Sequence, residues 1–188
     1  MKRVTHLAHD LIDAILHPGD IAVDATAGNG HDTLFLAGLV GDKGHVHAFD
    51  IQEAALTSTR QRLASEACQT PVSYHLCSHA LLAKKVTSAS AITFNLGYLP
   101  GTDQKTITEA GSTLQALAAS LEILTPGGIL TCICYPGHPG GLEEAEAALA
   151  WAEKQTHQDA HFDLITANQK DRLEGRPFLV ALKKAKRV

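Results

Sequence analysis

The chain has 188 residues, of which 45% are hydrophobic, and its formal net charge at pH 7 is -4. This length and apolar content suit one globular domain over residues 1–188. Broad, sequence-independent affinity for nucleic acid is disfavoured, because neutralising phosphates normally requires an excess of Lys and Arg. No apolar run is long enough to span a bilayer and no basic, then apolar, leader begins the chain, so we expect a cytoplasmic protein without a membrane partner.

The cysteines and histidines do not predict a disulfide framework or a metal site. No Cys-x-x-Cys pair occurs, and Cys132 and Cys134 would share one face of an apolar strand as buried thiols. Two histidine pairs have a spacing at which both rings can approach one metal ion, namely His6 with His9 and His45 with His47. Because the chain contains 11 histidines, we interpret both pairs as surface or packing residues and predict no metal.

The chain opens with a predicted helix, followed by a strand, a glycine-rich turn and a second helix. Apolar residues recur at helical spacing over residues 5–16, with Thr5 as the expected N-cap and a Pro-Gly pair as the stop. Residues 21–23 form a short apolar strand, the glycine turn spans residues 24–30, and a helix follows over residues 32–39. This order of strand, turn and helix is the context that a nucleotide-binding turn requires.

The remaining elements alternate between strand and helix. Further strands are expected at residues 45–49, 72–76, 91–94, 129–135, 161–166 and 178–182. Further helices are expected at residues 53–67, 107–124 and 142–154, with a loop at residues 97–105 and a helix stop at residues 126–128. This alternation predicts an α/β fold with a doubly wound, mostly parallel, seven-stranded Rossmann-like sheet that binds ligands at the carboxyl ends of its strands. The last two strands have no helix between them, which favours an antiparallel edge hairpin.

The glycine turn has the features of a cofactor-binding turn. Gly28 and Gly30 allow the backbone to turn tightly and to approach a ligand, while the following helix N-terminus offers free N–H donors. Asp50 ends the second predicted strand, where its carboxylate can accept both hydroxyls of an adenosine ribose. A purely structural turn and a helix cap remain the alternative interpretations of the glycines and of Asp50.

The residues around the glycines separate two cofactor classes. A dinucleotide fingerprint, Gly-x-Gly-x-x-Gly, has Gly or Ala where this chain has Thr33. Asp24 and Asp32 make the turn acidic, which repels a pyrophosphate but suits the ammonium group of a methionine. The turn therefore favours S-adenosylmethionine over NAD(P).

The sequence resembles the class I S-adenosylmethionine-dependent methyltransferases over nearly its whole length. Their acidic-x-x-x-Gly-x-Gly turn matches residues 24–30, and their ribose-binding acid matches Asp50. Five segments resemble, more narrowly, a small bacterial family labelled as rRNA methylases: DATAGNGHDT from position 24, FDIQ from 49, SH from 78, NLGYLPG from 95 and YPGHPGG from 135. That family includes an enzyme that methylates 5-aminomethyl-2-thiouridine at the wobble position of tRNA.

The resemblance implies a set of cofactor contacts at the carboxyl edge of the sheet. Besides Asp24, Gly28 and Gly30 of the turn itself, the implied contacts are Asn29, Asp32, Asp50, Gln52, Ser78 and His79. Asn29 and Asp32 would face the methionine end of the cofactor. Asp50 and Gln52 would face the ribose, and Ser78 and His79 the adenine. Each of these side chains can instead serve as a cap or turn residue.

Candidate catalytic residues follow the fourth and fifth predicted strands. Asn95 and Tyr98 keep the spacing of the Asn-Pro-Pro-Tyr motif of many amino-methyltransferases, although Leu-Gly replaces the two prolines. By this resemblance, Asn95 and nearby carbonyls would accept hydrogen bonds from the target amine, and the Tyr98 ring would stack on a base. Tyr135, His138 and His31 are further candidates for receiving the amine proton.

These features lead to one function hypothesis and several alternatives. We expect an S-adenosylmethionine-dependent RNA methyltransferase that N-methylates the 5-aminomethyl group of wobble (2-thio)uridine in tRNA. An rRNA or small-molecule acceptor, an NAD(P)-binding oxidoreductase and a non-catalytic nucleotide-binding module remain open. Because no separate RNA-binding domain is evident, tRNA would be held by the catalytic domain's own surface or by a homodimer.

Overall fold

The computed structural model describes residues 2–96 and 110–186. Within these residues the strands are β1 (Ile21–Asp24), β2 (His45–Asp50), β3 (Val72–Leu76), β4 (Ala89–Leu96), β5 (Leu124–Cys134), β6 (Phe162–Ala167) and β7 (Phe178–Lys184). The helices are α1 (Val4–Asp13), α2 (His31–Val40), α3 (Glu53–Ser65), α4 (Ala110–Ile123) and α5 (Gly141–Gln158). Two short 3-10 helices, which the sequence does not predict, span His79–Lys84 and Gln169–Glu174.

The strands form one sheet in the order β3-β2-β1-β4-β5-β7-β6. β1 to β5 pair in parallel, whereas β7 runs antiparallel to both β5 and β6. The predicted doubly wound, mostly parallel, seven-stranded sheet that ends in an antiparallel hairpin is therefore confirmed. The hairpin inserts β7 into the sheet and leaves β6 at the edge. After β3 the chain returns to lay β4 beside β1, so the topological switch point lies between β1 and β4.

Helices cover both faces of the sheet, which explains why its central strands are apolar on both sides. On one face, Ile12 of α1 and Leu36 of α2 belong to one core cluster with Ala22 of β1. On the other face, Leu117 of α4 belongs to a cluster with Ile92 of β4. Successive residues of a central strand therefore enter different cores. In the part of the chain described, no helix combines the length and apolar character needed to cross a membrane.

The two cysteines of β5 pack as the sequence predicts. Cys132 and Cys134 are buried free thiols in the same core cluster, with their Sγ atoms 3.8 Å apart. The hydrogen bond between the two thiols, followed by burial, raises the pKa of Cys132. Both side chains are therefore packing groups, and Cys132 stays neutral at physiological pH.

The first helix starts earlier than predicted. Its N-cap is Arg3 and helical conformation begins at Val4, so the prediction that Thr5 caps this helix is wrong. Val4 is buried in a cluster with Ile133 of β5. Tertiary packing of this apolar side chain stabilises the first helical turn more than a threonine cap would. The helix ends at Asp13, before the expected Pro-Gly stop.

The transition from α4 to β5 also differs from the prediction. The expected helix stop at residues 126–128 lies inside β5, because the strand begins directly after α4, at Leu124. Gly127 has φ +83°, and the pairing of β4 with β5 shifts register near the start of both strands. The Pro-Gly-Gly segment therefore marks an irregularity in the strand rather than a loop before it. The predicted loop at residues 97–105 lies outside the described residues.

Gly30→Ala is expected to destabilise the protein by about 1–3 kcal/mol. Gly30 has φ +77°, and a Cβ there would lie 2.8 Å from the Cα of Thr59, so neither the backbone nor the space suits alanine. Chemical denaturation gives the free energy of unfolding. The matched control is Gly38→Ala in α2, where a Cβ meets nothing within 4 Å and alanine should stabilise by about 0.5–1 kcal/mol. Equal effects at the two positions would contradict this account of the turn.

Candidate active site

The carboxyl ends of adjacent strands bring most of the predicted site residues to one edge of the sheet. The glycine turn follows β1, Asp50 ends β2, Asn95 lies near the end of β4, and Tyr135 follows β5. Because β4 lies beside β1, residues distant in the sequence meet here. This edge contains the topological switch point, where open α/β sheets bind their ligands.

The glycine turn is supported by α3. Gly28 and Gly30 both have positive φ, of +51° and +77°. Gly30 is buried against Thr59 of α3, and Arg62 Nε of the same helix donates a hydrogen bond to the carbonyl of Asn29 at 2.6 Å. The Asn29 side chain is itself exposed. Contacts with α3 therefore help to fix the conformation of the turn.

Asp24 stabilises the glycine turn through buried hydrogen bonds. Its side chain is fully buried and accepts hydrogen bonds from the Thr33 hydroxyl at 2.6 Å and from the backbone N–H of Thr26 at 3.1 Å. Burial, followed by the negative charge of Asp32, raises the pKa of Asp24 to about 7. In the sequence, Thr33 serves only as an argument against a dinucleotide-binding turn. In the structure it also donates a hydrogen bond to Asp24. In this structure Asp24 influences the site through the shape and charge of the turn.

Asp50 ties the glycine turn to the end of β2. One carboxylate oxygen accepts a hydrogen bond from the backbone N–H of Gly28 at 3.0 Å, and the other accepts one from the N–H of Gln52 at 2.9 Å. Each oxygen keeps a further lone pair, and the side chain is half-buried. Gln52 is the N-cap residue of α3 and makes no side-chain cap hydrogen bond. Asp50 therefore stabilises the turn and still offers acceptor capacity at the edge of the sheet.

Asp32 connects three elements from the first turn of α2. Its Oδ2 accepts a hydrogen bond from Asn95 Nδ2 at 3.2 Å, and its Oδ1 lies 2.7 Å from Nε2 of His9 on α1. The backbone N–H of Asn95 donates to the Thr26 hydroxyl at 2.7 Å. Because this carboxylate oxygen accepts the hydrogen bond, the Asn95 amide turns its nitrogen toward Asp32 and its oxygen away. Both the backbone and the amide of Asn95 are therefore oriented by neighbouring residues.

Tyr135 lies beside this network, immediately after β5. Its phenol hydrogen bonds with the Asn95 side chain, and burial, followed by the negative charge of Asp32, raises its pKa. The phenol is therefore protonated at neutral pH. Tyr135 is thus suited to hydrogen bonding a substrate group rather than to accepting a proton.

The other candidates for catalysis occupy different places. His138 lies in the loop after β5, with Nδ1 3.1 Å from the carbonyl oxygen of Pro139, and its ring closely approaches Gly141 at the start of α5. His31 is the exposed first residue of α2, beside the glycine turn. Tyr98 lies outside the described residues, so its stacking role stays a prediction.

The segment after β3 contains a cap residue and a buried histidine. Ser78 caps the 3-10 helix that follows, accepting a hydrogen bond from the N–H of Ala80 at 3.2 Å. His79 is buried, and its Nδ1 lies 3.3 Å from the carbonyl oxygen of Ala25. Since a carbonyl only accepts, Nδ1 carries the proton, and burial lowers the pKa of the ring, which leaves it neutral. Nε2 is then an acceptor, and within the described part of the chain no group donates to it.

The histidines of β2 bond to residues of β3. His45 Nε2 lies 2.8 Å from the Ser73 hydroxyl, and His47 Nδ1 lies 3.0 Å from His75 Nε2. Burial, followed by the neighbouring imidazoles, lowers the pKa of His47 to about 4. Across residues 2–96 and 110–186, no three His, Cys, Asp or Glu side chains are arranged to hold a metal ion. The contacts of these rings link β2 to β3.

Three residues of the site are not predicted from the sequence, namely His9, Thr26 and Arg62. The spacing of His9 suggests only a metal pair with His6, whereas its ring bonds to Asp32. Thr26 lies within the glycine turn, which is a signal that could have drawn attention to its hydroxyl. Arg62 belongs to a polar helix in which nothing distinguishes it from its neighbours.

Comparisons with known proteins relate the chain to methyltransferases. Residues 46–183 match the sequence model of a family described as "Putative rRNA methylase". The "tRNA (mnm(5)s(2)U34)-methyltransferase, chloroplastic" of Arabidopsis thaliana is 38% identical over 162 residues, which are 80% of this chain and 59% of that protein. The chain therefore spans less than two thirds of the length of this relative.

Two solved structures match the chain over nearly their whole length. A "putative rRNA-methylase" from Clostridium thermocellum has a TM-score of 0.91 and 35% identity, with 98% of both chains covered. A "putative methyltransferase" from Streptococcus mutans, in complex with SAH, has a TM-score of 0.85 and 36% identity, with 98% of this chain and 99% of that chain covered. The sheet order and helix layers described above are therefore those of a methyltransferase fold.

Removing the Asp24 charge is expected to change how stability depends on pH. The folded-state pKa of about 7 lies above the ordinary value of 3.8, so folding favours the protonated carboxyl. This contribution to stability is complete below the ordinary pKa and is lost as the pH rises through about 7. Relative to Asp24→Asn, the wild type should therefore lose stability across this window, by up to about 1.4 kcal/mol per pH unit.

Denaturant unfolding at about pH 5 and about pH 8 measures this difference. Asp42→Asn, at an exposed position between α2 and β2, is the control and should leave the pH dependence of stability as in the wild type. If the free energy of unfolding changed equally with pH in Asp24→Asn and in the wild type, the raised pKa of Asp24 would be contradicted.

Proposed function

The chain belongs to the family described as "Putative rRNA methylase", and we propose that it is an S-adenosylmethionine-dependent RNA methyltransferase. Its proposed acceptor is the 5-aminomethyl group of wobble (2-thio)uridine in tRNA, in keeping with the name of the Arabidopsis relative. The observation that carries the proposal is the hydrogen bond between Asp32 and Asn95. It joins the first turn of α2, directly after the glycine turn, to an amide suited to bind an amine.

The acceptor groups at this edge fit the chemistry of S-adenosylmethionine. Asp50 can accept ribose hydroxyls with the lone pairs that its backbone donors leave free. Asp32, whose side chain is 13% exposed, offers a carboxylate to the methionine ammonium. His79 Nε2, a buried acceptor that no described residue satisfies, suits a hydroxyl or amino donor of the ligand. Further proposed contacts come from Asn29, Gln52 and Ser78, on a turn shaped by Asp24, Gly28 and Gly30.

The charge of the site favours a cationic cofactor. Asp32 and Asp50 both raise the pKa of Asp24, so each of them repels negative charge on Asp24 across the turn. A ligand with an ammonium and a sulfonium group relieves this repulsion, whereas a pyrophosphate would add to it. This balance favours S-adenosylmethionine over NAD(P), and the SAH complex of the Streptococcus mutans relative agrees with it.

Transfer to an amine requires a neutral nitrogen whose lone pair points at the methyl carbon. When bound, S-adenosylmethionine supplies a methyl group already activated by a positively charged sulfur. Asn95 Oδ1, which faces away from Asp32, can accept an N–H of the amine and so orient its lone pair, while the protonated Tyr135 can hydrogen bond nearby. An ammonium must therefore first lose one proton; the nitrogen–carbon bond then forms as the sulfur–carbon bond breaks, and the sulfur leaves as a neutral thioether. His138 and His31 are proposed as candidates to receive that proton, and Tyr98 as a stacking residue.

The same catalytic domain is proposed to hold the tRNA. With a net charge of -4, the chain has no overall attraction for phosphates, so local surface groups must provide it. A homodimer in the cytoplasm would double the surface available to one tRNA. Light scattering that finds only monomers, alone and with tRNA, would contradict the dimer.

Methylation of tRNA tests the proposed reaction. The tRNA of cells lacking the gene, which should carry unmethylated 5-aminomethyl-2-thiouridine, is incubated with the protein and S-adenosylmethionine, and its nucleosides are analysed by mass spectrometry. The expected product is the N-methylated form of 5-aminomethyl-2-thiouridine. Asn95→Ala should lower the rate on the order of 10²-fold, because the amine loses its orientation. Calorimetry should show a far smaller change in cofactor affinity.

The control for Asn95→Ala is Ser90→Ala, at the opposite end of β4, which should leave the rate unchanged. Methylation of rRNA but not of tRNA would refute the proposed acceptor and retain the reaction class. Full activity of Asn95→Ala would refute the role given to the end of β4.

A further inference from the structure

The N-terminal helix reaches the site through one histidine. α1 packs on β5 and β7, and His9 on this helix lies 23 positions before Asp32 in the chain. The two side chains are 28% and 13% exposed, and Nε2 of His9 is 2.7 Å from Oδ1 of Asp32. Hydrogen bonds to an ionised carboxylate are short and strong, especially where water is partly excluded. The contact therefore couples the position of α1 to the carboxylate of Asp32.

The His9 ring is also held on its flat face. It stacks on Phe35, with the ring centroids 3.8 Å apart and the ring planes within 8° of parallel. Phe35 lies three residues after Asp32 on α2, so both side chains share one face of that helix. Stacking and hydrogen bonding together leave the imidazole a single orientation. A ring fixed in this way can in turn fix the orientation of Asp32.

Asp32 passes this constraint on to Asn95. His9 engages one carboxylate oxygen, and Asn95 Nδ2 engages the other at 3.2 Å. Rotation of the carboxylate would lengthen both contacts at once. Without the bond to His9, the Asp32 side chain gains freedom, and the Asn95 amide loses a fixed partner.

We propose that His9 is a positioning residue for methyl transfer, acting through Asp32 on both the cofactor and the amine-binding Asn95. It holds the Asp32 carboxylate so that its remaining lone pairs face the methionine ammonium. It thereby also keeps the Asn95 amide oxygen turned toward the amine. This inference rests on the proposed function, since it assigns His9 to that site, and His9 itself does not touch the reacting atoms.

Two substitutions of His9 separate positioning from folding. His9→Gln keeps an N–H donor at the reach of Nε2, whereas His9→Ala removes both the donor and the ring. In the full-length protein, His9→Ala should weaken S-adenosylmethionine binding by about tenfold in calorimetry and also lower kcat for methyl transfer to tRNA. His9→Gln should restore most of the affinity and the rate. His6→Ala, at an exposed position on the same helix, is the matched control and should change neither.

Thermal unfolding of the same variants completes the test. Cofactor affinity and kcat in His9→Ala equal to those of His6→Ala would overturn the proposal. The proposal would also be overturned if affinity and kcat fell in both His9 variants in proportion to their loss of thermal stability. His9 would then have only a structural role. If the wild type binds S-adenosylmethionine but does not methylate tRNA, the proposed acceptor fails while the affinities still decide the role of His9. If the wild type binds no S-adenosylmethionine, both proposals fail.

Discussion

The carboxylate of Asp32 is the contact on which the arrangement of the site depends. It lies in the first turn of α2, where the helix N-terminus favours negative charge. Its two oxygens reach α1 through His9 and β4 through Asn95. The strand order reverses between β1 and β4, so these two strands belong to different halves of the sheet. The bond from Asp32 to Asn95 connects the two halves at this switch point. The glycine turn and the end of β4 are therefore one hydrogen-bonded unit.

Three carboxylates at this edge differ in burial and hence in role. Asp24 is fully buried and has a raised pKa, Asp32 is nearly enclosed, and Asp50 is half-buried with backbone donors on both oxygens. Together they make the edge acidic on a chain whose overall charge is -4, although Asp24, with a pKa of about 7, is only partly ionised at neutral pH. In the proposed reaction both partners carry positive charge before the amine loses its proton. The same carboxylates can therefore attract the cofactor and the amine, while RNA phosphates must bind elsewhere.

The sequence predicts the parts of the structure that depend on local pattern. Apolar runs locate the strands, and the strand, glycine turn and Asp50 locate the site. The start of α1 is missed because burial of Val4 outweighs the capping preference of Thr5. The link from His9 to Asp32 is missed because contacts between two helices leave no periodic trace in the sequence. The 3-10 helices are missed because such short elements carry no period of their own.

The central claim is that this acidic glycine turn holds a cationic methionine cofactor. Its most direct test is calorimetry of the purified protein with S-adenosylmethionine and, separately, with NADH. The carboxylates of the turn predict that S-adenosylmethionine binds at one site per chain and that NADH gives no binding heat. Binding of NADH without binding of S-adenosylmethionine would contradict the claim.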